Sequence, residues 1–165
     1  MTGMFIRTFP CHAALVPLES ITDGTVEGFA ALTEDGRVIS LVKDIVPEPL
    51  PPLVRLELDD DRVEVDVLLD VGHILGSLRE VPGVLVERDG RPYGVVDRVD
   101  LAAALRVEDL GWINERIFGT PAVPSRRYVC RQCVPEEWRV PRSAAAGPPE
   151  CRDAWSHGPM QLQGG

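Results

Sequence analysis

Gly83-Val84-Leu85-Val86-Glu87-Arg88-Asp89-Gly90-Arg91-Pro92-Tyr93-Gly94-Val95-Val96-Asp97-Arg98-Val99-Asp100-Leu101 is the stretch from which the architecture follows. An apolar run enters Asp89-Gly90, a pair that takes the positive φ angles of a tight hairpin, and a second apolar run leaves it. Strands are therefore expected over 83–87 and 92–96. A helix starting near Arg98 follows, with Leu101, Ala104 and Leu105 on its buried side. Upstream, Val71, Ile74, Leu75 and Leu78 fall at helical spacing, with Asp70 placed to cap the first turn. Gly72 and Gly76 leave that helix dependent on packing. Val54, Leu56 and Leu58 alternate with Arg55 and Glu57, and Val63, Val65 and Val67 with Glu64 and Asp66. This predicts a further hairpin whose solvated tip is Asp59-Asp60-Asp61.

Residues 63–106 thus read strand, helix, strand, tight turn, strand, helix. With the stretch quoted above, this order resembles a CBS motif. In that family an apolar strand enters an Asp-Gly turn, a Gly-containing strand leaves it, and a polar residue followed three later by Asp opens the closing helix. Residues 30–44 echo it around Asp35-Gly36 at an offset of 54 residues, with strands expected near 26–33 and 37–42. Four prolines between Pro47 and Pro52 then form a stiff connector where the first copy would have its closing helix. The resemblance implies a cleft for a small ligand such as an adenine nucleotide. Asp100 matches the ribose-binding Asp, Asp97 stands at the Ser/Thr position, and Lys43 stands at the matching place in the first repeat. A carboxylate at position 97 repels phosphate, and the competing reading is that Asp97 or Asp100 caps the helix.

The chain has 165 residues, enough for one domain with an appendage. Its 17 Lys+Arg and 26 Asp+Glu give a net charge of -9, and such a surface repels nucleic-acid phosphate and anionic lipid. No stretch approaches the ~20 apolar residues of a membrane span. The run after Arg7 is broken by Pro10 and Pro17, so no signal peptide is expected, and the expected location is cytoplasmic. Phosphate-loop, dinucleotide, nucleophile-elbow and zinc-protease motifs are all absent. Cys11 and His12, adjacent in an extended segment, point to opposite faces, and His73 lies on the polar side of its helix. No catalytic residue is expected, and the protein is read as not an enzyme.

Cys130 and Cys133, two residues apart, place both thiols of one tight turn on the same ion. With Cys151 and His157 they form a Cys3His set for Zn2+. The segment resembles a small zinc ribbon, although the Cys-x5-His spacing leaves Asp153 or a water as alternatives to His157. A dithiol oxidoreductase is the competing reading. It needs the first thiol at a helix N-terminus, and Pro135-Glu136-Glu137 can begin such a helix. Residues 126–165 lack apolar periodicity, so the metal is expected to hold them together, and Cys130→Ser is expected to loosen this tail alone.

The expectation is an α+β fold: a β-rich, CBS-like domain over 1–120 and a zinc-ribbon-like tail over 121–165. A further helical turn with Leu110, Ile113 and Ile117 and a linker over 120–125 join the two. The function expected is a non-enzymatic adaptor or regulatory subunit that docks on a protein partner. A small-ligand sensor is the alternative, and a homodimer supplying the second CBS copy stays open. The first 120 residues carry a net charge of -11 and the tail +2. Arg and Trp dominate the energetic centres of interfaces. Trp138 and Arg139 are therefore assigned to the docking surface, and Trp155, between two ligands, to covering the metal.

Overall fold

Both Asp-Gly pairs make the turns their chemistry predicts. In a computed structural model describing residues 4–5, 13–58, 62–63, 65–108, 126–142 and 146–163, φ is 50° and 74° at Asp35 and Gly36, and 53° and 72° at Asp89 and Gly90. In chain order the elements are β1 (Met4–Phe5), β2 (Ala14–Pro17), β3 (Thr25–Glu34), β4 (Arg37–Ile45), β5 (Leu53–Glu57), β6 (Arg62–Val63), α1 (Val65–Ser77), β7 (Gly83–Arg88), β8 (Arg91–Asp97), α2 (Arg98–Glu108), β9 (Tyr128–Cys130), β10 (Glu137–Val140), α3 (Ala154–His157) and β11 (Gln161–Leu162). They form a six-stranded sheet in the order β11-β9-β10-β5-β7-β8, a three-stranded sheet β2-β3-β4, and the pair β1-β6. The fold is α+β. No helix among the described residues is long and apolar enough to cross a membrane.

The six-stranded sheet is the middle layer. On one face Val54, Leu56, Val84, Val86 and Val96 pack against Val67, Leu68, Val71, Ile74 and Leu75 of α1 and Leu101 of α2. The helices approach closely at Gly72, where a Cβ would lie 2.7 Å from Leu105 Cδ1. Arg98, the first residue of α2, closes the other end of α1. Its guanidinium donates to the carbonyls of Leu75 (2.6 Å), Leu78 (2.8 Å) and Val81 (3.1 Å), and so satisfies acceptors that a helix C-terminus leaves open.

On the opposite face Leu53, Leu85 and Val95 meet Phe29, Ala31, Val38 and Leu41. The β3-β4 hairpin therefore lies on the β7-β8 hairpin, and Ala31 with Leu85 and Leu41 with Val95 are pairs of positions 54 apart in sequence. Lys43 and Asp97, also 54 apart, join at 2.9 Å. The Pro-rich connector is tied to β4, since buried Ser40 donates to the Pro51 carbonyl at 2.8 Å.

The expected hairpin across Asp59-Asp60-Asp61 does not form. β5 pairs in parallel with β7 on one side and β10 on the other. Residues 62–63 pair with β1, and the helix begins at Val65. The alternation of Val63, Val65 and Val67 is only three residues deep, whereas the helical stripe of Val67, Leu68, Val71, Ile74 and Leu75 covers two turns and wins. Asp70 is consequently inside α1 and not its cap. The Asp59-Asp60-Asp61 tip, Cys11 and His12, the turn carrying Leu110, Ile113 and Ile117, and the 120–125 linker lie outside the described residues.

Strand pairing crosses from the first 120 residues into the tail. β10 runs parallel to β5 with Glu137 opposite Leu53 and Val140 opposite Leu56, and Val129, Trp138 and Val140 complete the apolar layer under the helices. Trp138, expected to face outward, is 7% exposed. The tail's alternating residues find a core because the neighbouring strand β5 and the helices supply the rest of it. A second anchor precedes β9. Asp70 accepts the Arg126 backbone N–H at 3.2 Å and pairs with Arg127 Nε at 3.5 Å. Burial is the main influence on Asp70 and pushes its carboxyl up, against the pull of these arginines.

Candidate metal centre

β9 ends on Cys130, a tight turn carries Cys133, and α3 provides the single turn that brings His157 back over Cys151. The four ligand atoms lie within 4.8 Å of one another. His157 Nδ1 stands 3.6 Å from Cys130 Sγ, 3.4 Å from Cys133 Sγ and 3.6 Å from Cys151 Sγ. A tetrahedral ion with metal–sulfur bonds of about 2.3 Å and metal–nitrogen bonds of about 2.0–2.1 Å sets each sulfur about 3.6 Å from the nitrogen. The three distances match that requirement, with Nδ1 as the ring nitrogen that faces the sulfurs. Cys130, Cys133 and Cys151 are buried with Met160, and Tyr128 packs on the cluster.

The unusual Cys-x5-His spacing is explained by α3, a single helical turn that takes up three of the five intervening residues and ends on His157. Asp153 does not compete for the ion. Its Oδ2 lies 3.9 Å from His157 Nε2, on the ring nitrogen opposite the one that faces the sulfurs and beyond hydrogen-bond range. Pro135 and Glu136 lead into strand β10, so no helix N-terminus stands at the Cys-x-x-Cys turn.

Burial works to raise the Cys130 thiol, but the backbone N–H groups of Cys133 and Gln132 point at its sulfur and hold it below the usual thiol range. For Cys133 and Cys151 burial wins and pushes both thiols up, against Arg152 and the Asp153 N–H respectively. Without an ion these two keep their protons at neutral pH, and a metal must displace them.

Next to this cluster lies a group of charges that sequence reasoning missed. Glu137, 0% exposed, takes Arg55 Nη1 at 3.2 Å, Arg139 Nε at 3.1 Å and Arg152 Nη1 at 3.4 Å, and its Oε2 accepts the Arg152 backbone N–H at 3.0 Å. Glu87 faces Arg55 Nε at 3.4 Å and Arg139 Nη1 at 3.8 Å. Burial, the dominant influence on Arg55, lowers its pKa, and the two glutamates oppose that shift. The signal available in sequence was the placing of these charges at alternate positions of strongly apolar strands. Alternation alone reads as a solvated face, and only the register of β10, β5 and β7 shows that the charges meet. The hairpin tip joins in as well, since Arg37 Nη1 donates to the Arg152 carbonyl at 2.9 Å and stands 3.9 Å from Asp153.

Two of the three residues assigned to a ligand cleft pair with each other. Lys43 Nζ meets Asp97 Oδ2 at 2.9 Å, and Asp97 Oδ1 accepts the Val99 N–H at 2.9 Å, which caps α2. Asp100 sits in the first turn of α2, where a carboxylate suits the helix dipole. Two shallow hollows of about 320 and 330 Å³ lie at residues 88–93 and alongside β2 and β3, and Lys43, Asp97 and Asp100 line neither. The two tail tryptophans exchange their expected roles. Trp138 is core, and Trp155, assigned to cover the metal, is 98% exposed. Arg139 is drawn into the charge cluster with Glu137 and Glu87. Compared with protein-family models, curated proteins and solved structures, the chain matches none.

Proposed function

We propose that this chain is a non-enzymatic adaptor or regulatory subunit, an α+β module locked by one structural Zn2+ and recognised by a protein partner. The observation that carries the reading is the Cys3His cluster, whose three sulfurs each stand 3.4–3.6 Å from one Nδ1, with all four atoms within 4.8 Å of one another. Three thiolates and an imidazole suit zinc, and four protein donors leave no open position for water or substrate. A third thiol and an imidazole converging on the Cys-x-x-Cys turn favour metal over dithiol exchange. Lys43 and Asp97, already paired, do not favour the ligand sensor. Free thiols gathered at one point suit a reducing compartment such as the cytoplasm. The order β6-α1-β7-β8-α2 supports the CBS-like reading of the central segment.

Docking belongs to the metal knuckle. Trp155 is 98% exposed between two ligands, and Val134, next to Cys133, is 89% exposed. Trp155 lies in α3 and Val134 in the turn after Cys133, both next to ligands that the ion fixes, so an apolar pocket on a partner gains contact area at small conformational cost. Elemental analysis of protein purified without added metal should give one zinc per chain. Cross-linking and capture from the native host should then succeed for the wild type and fail for Trp155→Ala that retains its zinc. Less than about half an equivalent of zinc, with the tail still protease-resistant, would defeat the metal reading. Undiminished capture by Trp155→Ala would defeat the docking surface.

A further inference from the structure

We infer that the metal centre controls the order of the central strands β5 and β7, with Arg152 and Glu137 as positioning residues that carry its state from the ligand loops into the sheet. The inference rests on the zinc reading of the Cys3His cluster and goes beyond it, since a structural ion need only hold the tail.

The connection is short and continuous. Arg152 follows the ligand Cys151 directly, and its guanidinium donates to the Pro135 carbonyl at 2.6 Å, two residues after the ligand Cys133. One side chain therefore spans both ligand loops. Through its backbone N–H and Nη1 it also fixes Glu137. Glu137 in turn is the carboxylate that Arg55 of β5 and Arg139 share, and Glu87 of β7 completes the group. Three guanidiniums face two carboxylates. Side-chain exposure is 9% for Arg55, 8% for Arg152, 5% for Glu87 and 0% for Glu137. Arg139, at 22%, is the only one of the five that reaches solvent; the other four tolerate little slack, because each buried ion that loses its partner keeps its desolvation penalty. When the ion leaves, the two ligand loops lose their common tether and Arg152 loses its fixed position. Glu137 then loses two of its donors. The cost falls on Arg55, which also holds the Val38 carbonyl at 3.1 Å and so ties β5 to β4.

Two measurements on the full-length chain decide the matter. The first is amide hydrogen exchange of zinc-loaded and chelator-stripped protein, with zinc content determined on the same samples. Chelation should cut protection at residues 53–57 and 83–88 at least tenfold, together with that at 128–140. A smaller loss in β5 and β7 while 128–140 opens would overturn the inference and leave the zinc reading intact. Protein that holds no zinc and gains no protection when zinc is added would instead sink the zinc reading itself. The second uses reciprocity of coupling. Arg55→Lys keeps the charge, shortens the fork and touches no ligand, and it should weaken zinc affinity about fivefold or more in competition with a chromophoric chelator. Zinc affinity equal to that of the wild type would also overturn the inference.

Discussion

Strands β5 and β10 face two environments. Val54, Leu56, Trp138 and Val140 lie under α1 and α2, whereas Arg55, Glu137 and Arg139 lie in the charged seam beside the metal ligands. The first face is held by burial, a non-directional effect of roughly 25 cal/mol per Å² of apolar surface that does not depend on any ion. The second is held by directional contacts among groups that must all be present together. The same four or five residues of each strand serve both, one by alternation with the other. The first face is therefore indifferent to any ion, and the second is the one through which the proposed zinc would act.

The sharpest test of this contrast removes the apolar side. Trp138→Ala should destabilise the chain by about 3–5 kcal/mol, seen in urea unfolding, while zinc content stays at one equivalent. Trp138→Phe should cost much less, since Nε1 has no hydrogen-bond partner among the described residues. On the other face Glu137→Gln should cost about 3 kcal/mol, because three guanidiniums lose the charge they share. Unlike the tryptophan change, it should also speed zinc release to a chelator. If both variants lose zinc equally, the two faces are not separate in the way described. Arg98→Ala, which uncaps α1 and touches none of the Cys3His residues, should cost about 1.5–3 kcal/mol with zinc release unchanged.

The smallest effect is expected from Lys43 and Asp97. Burial works to raise the Asp97 carboxyl, but the Lys43 ammonium and the Val99 N–H outweigh it and hold it below the usual carboxylate range. Stability from this pair is thus fully present above that range and is lost as pH falls through the lowered folded-state value. A double-mutant cycle with Lys43→Ala and Asp97→Ala at neutral pH should give a coupling below about 1 kcal/mol. In acid, with Asp97 protonated, it should vanish.

What the sequence disclosed follows the range of the interaction responsible. Asp35-Gly36 and Asp89-Gly90 set their own turns through local backbone preference, so both hairpins were readable. Cys130 and Cys133 announced a metal by spacing, and Cys151 and His157 completed the set because few other soft ligands exist in the tail. The β10-β5 pairing joins residues more than eighty apart, and no local pattern encodes it. Reading Trp138 as exposed and Trp155 as buried failed for the same reason. Proximity to a ligand in sequence says nothing about which side of a strand or turn faces the core. The missed charge cluster is the costliest omission, since polar residues alternating with Val and Leu imply water until another strand is known to cover them.

The stacking of the two Asp-Gly hairpins has a consequence for symmetry. Lys43 and Asp97, 54 positions apart, meet each other across the stack, as residues do on the axis of a two-fold assembly. In a true homodimer such an axial position must face its own copy, so a lysine would meet a lysine and an aspartate an aspartate. Lys43 against Asp97 is an attraction that no pair of identical hairpins can make. Carrying both hairpins in one polypeptide lifts that restriction, and the axial contact becomes a place where the two halves are told apart.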